Sequence, residues 1–129
     1  MSTQIFLGCN RYDSADYTNG TGAEVTLPAG TLLGRVNASG EVLPLASAAT
    51  DGSEYPCGIL SQAVTVANGA TVNVTFAVEG DIAESKVVFD GTDDFDTVVD
   101  GRILRDRIAA DTVGINLVTA TSMTGYDNQ

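Results

Sequence analysis

The chain has no histidine and no tryptophan among its 129 residues, and it contains a single lysine, Lys86. Histidine is the commonest general base and metal ligand, so its absence removes the usual routes to proton transfer and metal binding. The sequence also lacks the phosphate-loop pattern G-x-x-x-x-G-K-[ST], the dinucleotide pattern G-x-G-x-x-G and the hydrolase pattern G-x-S-x-G. We therefore predict that the protein is not an enzyme and needs no cofactor.

Cysteines and long apolar runs are scarce as well. The two cysteines, Cys9 and Cys57, are far apart, which predicts reduced thiols and neither a disulfide framework nor a metal site. The stretch before Cys9 superficially resembles a lipoprotein processing site, but it lacks a basic start and a long enough apolar run. No window approaches the ~18 apolar residues of a membrane span. We expect a soluble protein without an export signal.

Positive charge is the next deficit. Six basic residues face seventeen acidic ones, giving a net charge of −11. Such a surface repels nucleic acid, so we expect no direct nucleic-acid partner. Aromatic residues make up only 6% of the chain, so the core must consist of Val, Ile, Leu and Ala. The length indicates one domain.

Short apolar runs closed by turn signals dominate the middle of the chain, with glycines at Gly30, Gly40, Gly52 and Gly69. This pattern predicts a β-rich barrel or sandwich. The expected strands cover residues 23–27, 31–36, 41–45, 57–66, 71–78 and 114–119. Pro44 predicts that the third of these lies at a sheet edge.

The clearest turn, Asn68-Gly69, predicts that strands 57–66 and 71–78 are antiparallel neighbours. Within 71–78 the residues alternate in polarity. The predicted inward residues are Val72, Val74, Phe76 and Val78, and the predicted outward ones are Thr71, Asn73, Thr75 and Ala77. We interpret Gly80 as a bulge or as the exit from this strand.

A helix is expected at residues 101–110, capped by Asp100, with Ile103, Leu104 and Ile108 on one side. It carries the basic cluster of Arg102, Arg105 and Arg107. Two interpretations of this cluster remain open. Arg102 and Asp106 are spaced for a surface ion pair, or the cluster faces a partner.

The acidic segment 90–100 resembles a calcium loop only in its carboxylates. Counting from Asp90, the sixth position is Phe95 where a calcium loop needs Gly, and the twelfth is Gly101 where it needs Glu. We predict a solvated acidic loop without a metal.

Residues 1–22 are rich in Ser, Thr, Asn and Gly, which predicts a flexible N-terminal arm. The arm also contains apolar and aromatic residues: Ile5, Phe6, Leu7, Tyr12 and Tyr17. Two interpretations are open, since this set either packs on its own domain or docks on a partner.

Several segments, in this order and spacing, resemble the lambda-like head decoration proteins of tailed phages over residues 23–119. They are residues 27–34, Thr50-Asp51-Gly52, Gly58-Ile59-Leu60, Val74-Thr75-Phe76 with Gly80, Val87-Val88-Phe89 and Gly114-Ile115. The resemblance implies a small barrel-like or β-tulip-like domain that forms homotrimers. It implies binding to the major capsid protein at threefold sites on the outer surface of the expanded capsid, after synthesis in the host cytoplasm. It further implies an arm that orders against the capsid.

The sequence therefore predicts a mainly β protein with an arm at 1–22, a decoration domain at 23–119 with one short C-terminal helix, and a polar tail at 120–129. The expected function is cementing of the expanded phage capsid, in which the five arm residues bind the capsid and Ile5, Phe6 and Leu7 are the anchor. Deleting residues 2–17 is expected to spare the fold and weaken attachment. The alternative is a carbohydrate- or surface-binding β-module of a fibre or adhesin, although the tyrosines are scattered rather than clustered.

Overall fold

The computed structural model describes residues 10–89, 91–112 and 114–118, and β-strands dominate these residues. The strands and the helix are β1 (Arg11–Thr18), β2 (Val25–Leu27), β3 (Leu32–Arg35), β4 (Val42–Pro44), β5 (Pro56–Leu60), β6 (Val64–Val66), β7 (Thr71–Ala83), β8 (Val98–Val99), β9 (Arg102–Ile103), α1 (Leu104–Asp111) and β10 (Gly114–Val118). The predicted mainly β class with one short helix near the C-terminus is confirmed.

The main sheet has the strand order β1-β7-β5-β3-β4, and β10 pairs in parallel with the second half of β7. Strands β2 and β6 form a separate pair, and so do β8 and β9. The main sheet stays open, with β1 and β4 as its edges, so the barrel expected from the sequence is not closed. Pro44 lies in the edge strand β4, as predicted.

The middle strands of the sheet are buried on both faces. Consecutive residues in a strand point to opposite faces, so each apolar pair serves two cores. The helix-side core contains Leu32, Leu45, Ile59, Ala77, Ile82, Val99, Leu104, Ile108 and Ile115. The opposite core contains Tyr17, Leu27, Leu33, Val42, Leu60, Val66, Val74 and Phe76. Burying each large apolar side chain contributes about 1.5–3 kcal/mol.

Strand β7 confirms most of the predicted alternation, since Val74 and Phe76 are buried while Thr75 is exposed. Ala77 was predicted to face solvent, and this is wrong: its exposure is 0%. The reason is that helix α1 and β10 build the second core over that face. The strand also continues through Gly80 to Ala83, so Gly80 is not a strand exit.

The predicted strand 57–66 is two strands that belong to different sheets. Its first part, β5, pairs antiparallel with β7, in agreement with the prediction. Its second part, β6, pairs with β2 instead. The polar break at Ser61-Gln62 lets the chain leave one sheet for the other, because the Ser61 hydroxyl and amide both donate to the Thr75 carbonyl there.

The predicted arm is corrected for its second half, because Arg11–Thr18 is a strand that pairs antiparallel with β7. The buried Asn19 fixes the end of this strand. Its side-chain amide donates to the carbonyls of Ala23 and Val66, and its oxygen accepts from the amide and hydroxyl of Thr21. Deleting residues 2–17 would remove most of β1, so the structure gives a reason to expect that this deletion disturbs the fold.

Helix α1 begins at Leu104, three residues later than predicted. Asp100 does not cap it: its backbone has φ 52°, and its side chain accepts a hydrogen bond from Tyr55. Leu104 and Ile108 are buried on one side, as predicted. The final strand is confirmed up to Val118, while the predicted tail at 120–129 lies outside the described residues.

Candidate functional site

Strand β1 forms an exposed edge of the main sheet. It is the first strand in the order of this sheet and pairs with β7 on one side. Charged side chains, among them Asp13 and Asp16, are exposed along it, and such charges discourage uncontrolled pairing of edges. Arg11 at the start of this strand pairs with Glu79 of β7 at 3.1 Å. An edge of this kind can accept a strand from a partner.

The other edge, β4, approaches β1 because the sheet bends. The Thr18 hydroxyl donates to Oε2 of Glu41 at 2.7 Å, just ahead of β4. Between these edges lies an open groove of about 340 Å³, whose lining includes Asp16, Ser39 and Glu41. The groove is therefore polar, and two carboxylates face it.

The structure separates the residues of the predicted anchor. Ile5, Phe6 and Leu7 lie outside the described residues. Tyr12 is 49% exposed on β1, whereas Tyr17 is 2% exposed in the core with Phe76. The two tyrosines are an odd number of positions apart, so their side chains point to opposite faces of the strand. Tyr17 is a core residue in this structure and is not available to a partner.

The predicted basic cluster is not a shared surface either. Arg105 forms an ion pair with Glu84 and lies over the ring of Phe95, with 4.8 Å between Cζ and the centroid. The expected Arg102–Asp106 ion pair is not formed between these two described residues. Arg102 lies in β9, ahead of the helix, so the i, i+4 helical spacing does not apply. Arg102 is exposed, and it is the member of the cluster that still suits a partner.

Arg107 is engaged within the domain. Its Nε donates to the Val99 carbonyl and its Nη2 to the Asp100 carbonyl, both at 2.9 Å. It also pairs with Asp111 at 3.4 Å. Only 15% of its side chain is exposed. Through these contacts Arg107 connects helix α1 to the β8–β9 turn.

The acidic loop is attached to the domain through its own carboxylates. Asp93 accepts hydrogen bonds from the Ser47 amide at 2.9 Å and from the Ser47 hydroxyl at 2.7 Å. Asp94 accepts from the Thr97 hydroxyl and the Asp96 amide. Over the described part of the chain, no group of three or more acidic or cysteine side chains is arranged to hold a metal ion.

A cleft of about 580 Å³ opens between the end of β3, the start of β5 and helix α1. We call it the arginine cleft, and its lining includes Arg35, Asn37, Tyr55, Cys57, Asp100 and Arg107. The Tyr55 hydroxyl donates to Asp100 at 3.0 Å, and this bond raises the pKa of Tyr55. Burial raises the pKa of the Cys57 thiol to about 11, so the thiol is neutral at physiological pH.

Arg35 is the residue of this cleft that sequence reasoning missed. Its Cζ lies 5.7 Å from the centroid of the Phe76 ring, and its buried Nε has no hydrogen-bond partner within residues 10–89, 91–112 and 114–118. It forms no ion pair with any described residue, unlike Arg11, Arg105 and Arg107. The available signal was a lone arginine at the end of the apolar run Leu32-Leu33-Gly34 in an acidic chain.

Within the described residues these features make up a small β-rich domain with exposed strand edges and a cleft lined by two arginines and two aspartates. None of the helices described is long and apolar enough to cross a membrane. Residues 10–99 match the family model described as Bacteriophage lambda head decoration protein D. This match covers more than half of the chain, so the protein belongs to that family of structural proteins of the phage virion head. No individual curated protein matches the chain.

The family match confirms the resemblance seen in the sequence. It begins at residue 10, ahead of the predicted domain start at 23, so β1 is part of the family domain. It ends at residue 99, before helix α1 and β10.

Proposed function

We propose that this protein decorates the outer surface of a phage head after synthesis in the host cytoplasm. It binds there as homotrimers at threefold sites and holds neighbouring subunits of the major capsid protein together. Membership of the head decoration family is the single observation that carries this proposal. The role is binding without catalysis, and the strongly acidic composition argues against binding of the packaged nucleic acid itself.

The physical basis of cementing is mass action. A ligand that binds one state of the capsid lattice stabilises that state in proportion to its differential affinity. A trimer presents three copies of each contact, so the contacts act together at high effective concentration. Individually weak contacts then suffice to hold the expanded lattice.

The proposed anchor is the apolar run Ile5, Phe6 and Leu7, with Tyr12 beside it. This run ends three residues before β1, the edge strand that begins at Arg11. A β-prone run in this position can add to a sheet edge of the capsid protein, with backbone hydrogen bonds forming as it orders. Ordering costs about 1–2 kcal/mol per residue, so the partner must supply both the edge and an apolar pocket.

The test is a deletion of residues 2–9, which removes the anchor and leaves β1 complete. The matched control deletes residues 122–129, an equal number at the other terminus. We expect both variants to keep the fold and the trimer. The first should lose sedimentation with expanded, undecorated capsids, and the second should retain it. Undiminished attachment of the 2–9 deletion would refute the anchor and leave the face around Arg102 as the better candidate.

The trimer is tested separately by light scattering at micromolar concentration. We expect a mass about three times that of the 13.3 kDa chain. The β1 and β4 edges and the sparse aromatic content support association, because small domains cover their apolar surface poorly. A single species of 13.3 kDa would contradict the trimer.

A further inference from the structure

Arg35 forms no ion pair with any carboxylate in the part of the chain that the structure describes. The chain contains seventeen acidic residues, yet no described carboxylate lies within ion-pair distance of this guanidinium. Its neighbour Cys57 does not supply the missing anion, because the thiol stays protonated at physiological pH. A positive charge in an acidic protein thus remains available.

The surroundings of Arg35 also call for a hydrogen-bond acceptor. A guanidinium has five N–H donors and no acceptor. The Nε of Arg35 is buried without a hydrogen-bond partner among the described residues, and the Phe76 ring lies against the group. Buried donors in folded proteins are nearly always satisfied, because an unsatisfied one is costly. Phe76 contacts the half-buried side chain, and because Nε is buried, an oxyanion in the cleft would meet the terminal N–H groups of the guanidinium.

Arg35 lines both the arginine cleft and the groove between β1 and β4. The neighbouring charges indicate which of the two is more favourable for an anion. In the groove, the carboxylates of Asp16 and Glu41 oppose an anion. In the cleft, the carboxylates of Asp100 and Asp111 already pair with Arg107. Both carboxylates that line the cleft are therefore engaged with Arg107, whereas an anion in the groove would face the carboxylates of Asp16 and Glu41.

We propose that the arginine cleft is a binding site for one carboxylate group, with Arg35 as its principal ligand. A planar guanidinium matches a carboxylate through two parallel hydrogen bonds. The cleft volume of about 580 Å³ falls in the range of sites that take small molecules or a protruding side chain. The carboxylate comes either from a free small acid or from an acidic side chain of a docked protein.

The first experiment titrates the intact protein with sodium acetate, using sodium chloride at equal ionic strength as the salt control. Backbone amide signals of Cys57 and Gly58 report on the cleft by NMR. We expect saturable shifts with acetate and none with chloride. In Arg35→Gln the affinity should fall by about tenfold or more, since a charge-assisted pair is lost. Arg102→Gln removes the same charge from an exposed site outside the cleft and should titrate like the wild type.

Arg35→Lys is a second variant that tests the site even if Arg35→Gln fails to fold, because lysine keeps the positive charge and an aliphatic stem. It should bind acetate more weakly than the wild type, since the ammonium cannot form the paired hydrogen bonds. The proposal is overturned if the wild type shows no saturable shift in the millimolar range. It is equally overturned if Arg35→Gln and Arg35→Lys both titrate like Arg102→Gln.

The second experiment identifies the source of the carboxylate by sedimentation with expanded, undecorated capsids. If a docked side chain is the source, Arg35→Gln attaches more weakly than the wild type, and acetate competes with the attachment of the wild type. Equal attachment of Arg35→Gln and the wild type, with acetate binding by the wild type intact, assigns the site to a free small acid. The acetate titration uses no capsids, so a failure of capsid binding leaves it interpretable.

Discussion

Replacing Asn19 by alanine tests how the N-terminal part of the chain is held in the domain. The Asn19 side chain is fully buried at the end of β1. It donates to the carbonyls of Ala23 and Val66 at 2.7 and 2.9 Å, and its oxygen accepts from the Thr21 amide and hydroxyl at 3.0 and 2.7 Å. The side chain thus joins the end of β1 to β6 and fixes the turn that leads from β1 to β2.

The expected loss follows from these four hydrogen bonds. Each bond contributes about 0.5–1.5 kcal/mol net, and a buried carbonyl left without a donor costs about 1–3 kcal/mol. The Val66 carbonyl is such a group, because its bond to Asn19 is buried. We expect the free energy of unfolding to fall by about 2–4 kcal/mol, a large share of the ~5–15 kcal/mol typical of a domain.

Urea denaturation at one fixed protein concentration measures this loss, since concentration affects the stability of an oligomer. The matched control is Asn73→Ala, because Asn73 is exposed and its amide reaches only Asp16, at 3.3 Å. The control should change stability by less than about 0.5 kcal/mol. If the two variants lie within about 0.5 kcal/mol of each other, the buried network does not hold β1.

Three further predictions concern the glycine in β3, an acid-sensitive turn and the buried thiol. Gly34→Ala should lower the free energy of unfolding by about 3 kcal/mol in the same assay, because its new methyl group would collide with the Ser53 carbonyl. The control is Gly20→Ala, whose methyl group would meet nothing within 4 Å and should leave stability nearly unchanged. Hydrogen bonds from Ser53 lower the pKa of Asp51 below 3.8, so its charged form stabilises the fold above that pH and the contribution is lost on acidification. The difference in free energy of unfolding between the wild type and Asp51→Ala should therefore shrink as the pH falls below 3.8. A difference that does not change with pH would show that the Asp51 charge does not stabilise the fold. Cys57 should react slowly with a thiol reagent at pH 8 in the folded protein and quickly in urea, because burial raises its pKa to about 11. Peptide mapping follows the reaction at Cys57, and equal rates in the two conditions would show that the thiol is accessible in the folded protein.

Local patterns in the sequence were enough to predict the hairpin of β3 and β4, the edge position of Pro44 and the final strand. These features depend on residues close together in the chain, such as the turn ahead of β4. The burial of Ala77 was not predictable in this way. It depends on helix α1 and β10, which cover that face of β7 from far along the chain.

The N-terminal arm shows the same limit. Its composition is that of a flexible segment, and no local period marks Arg11–Thr18 as a strand. Its order comes from pairing with β7, about sixty residues away in sequence, and from the buried Asn19. The candidate cleft was hidden for a related reason, because Arg35, Cys57 and Arg107 meet only in the folded chain.

Strand β7 gives the domain its cooperativity. Its thirteen residues supply Phe76 to one core and Ala77 and Ile82 to the other, so both cores depend on this strand for their packing. Melting of one core would withdraw β7 and expose the second to water at the same moment. Hydrogen exchange of the buried amides on both faces should then occur through a single global opening. A domain whose two cores share one strand unfolds cooperatively, so both cores are retained together or lost together.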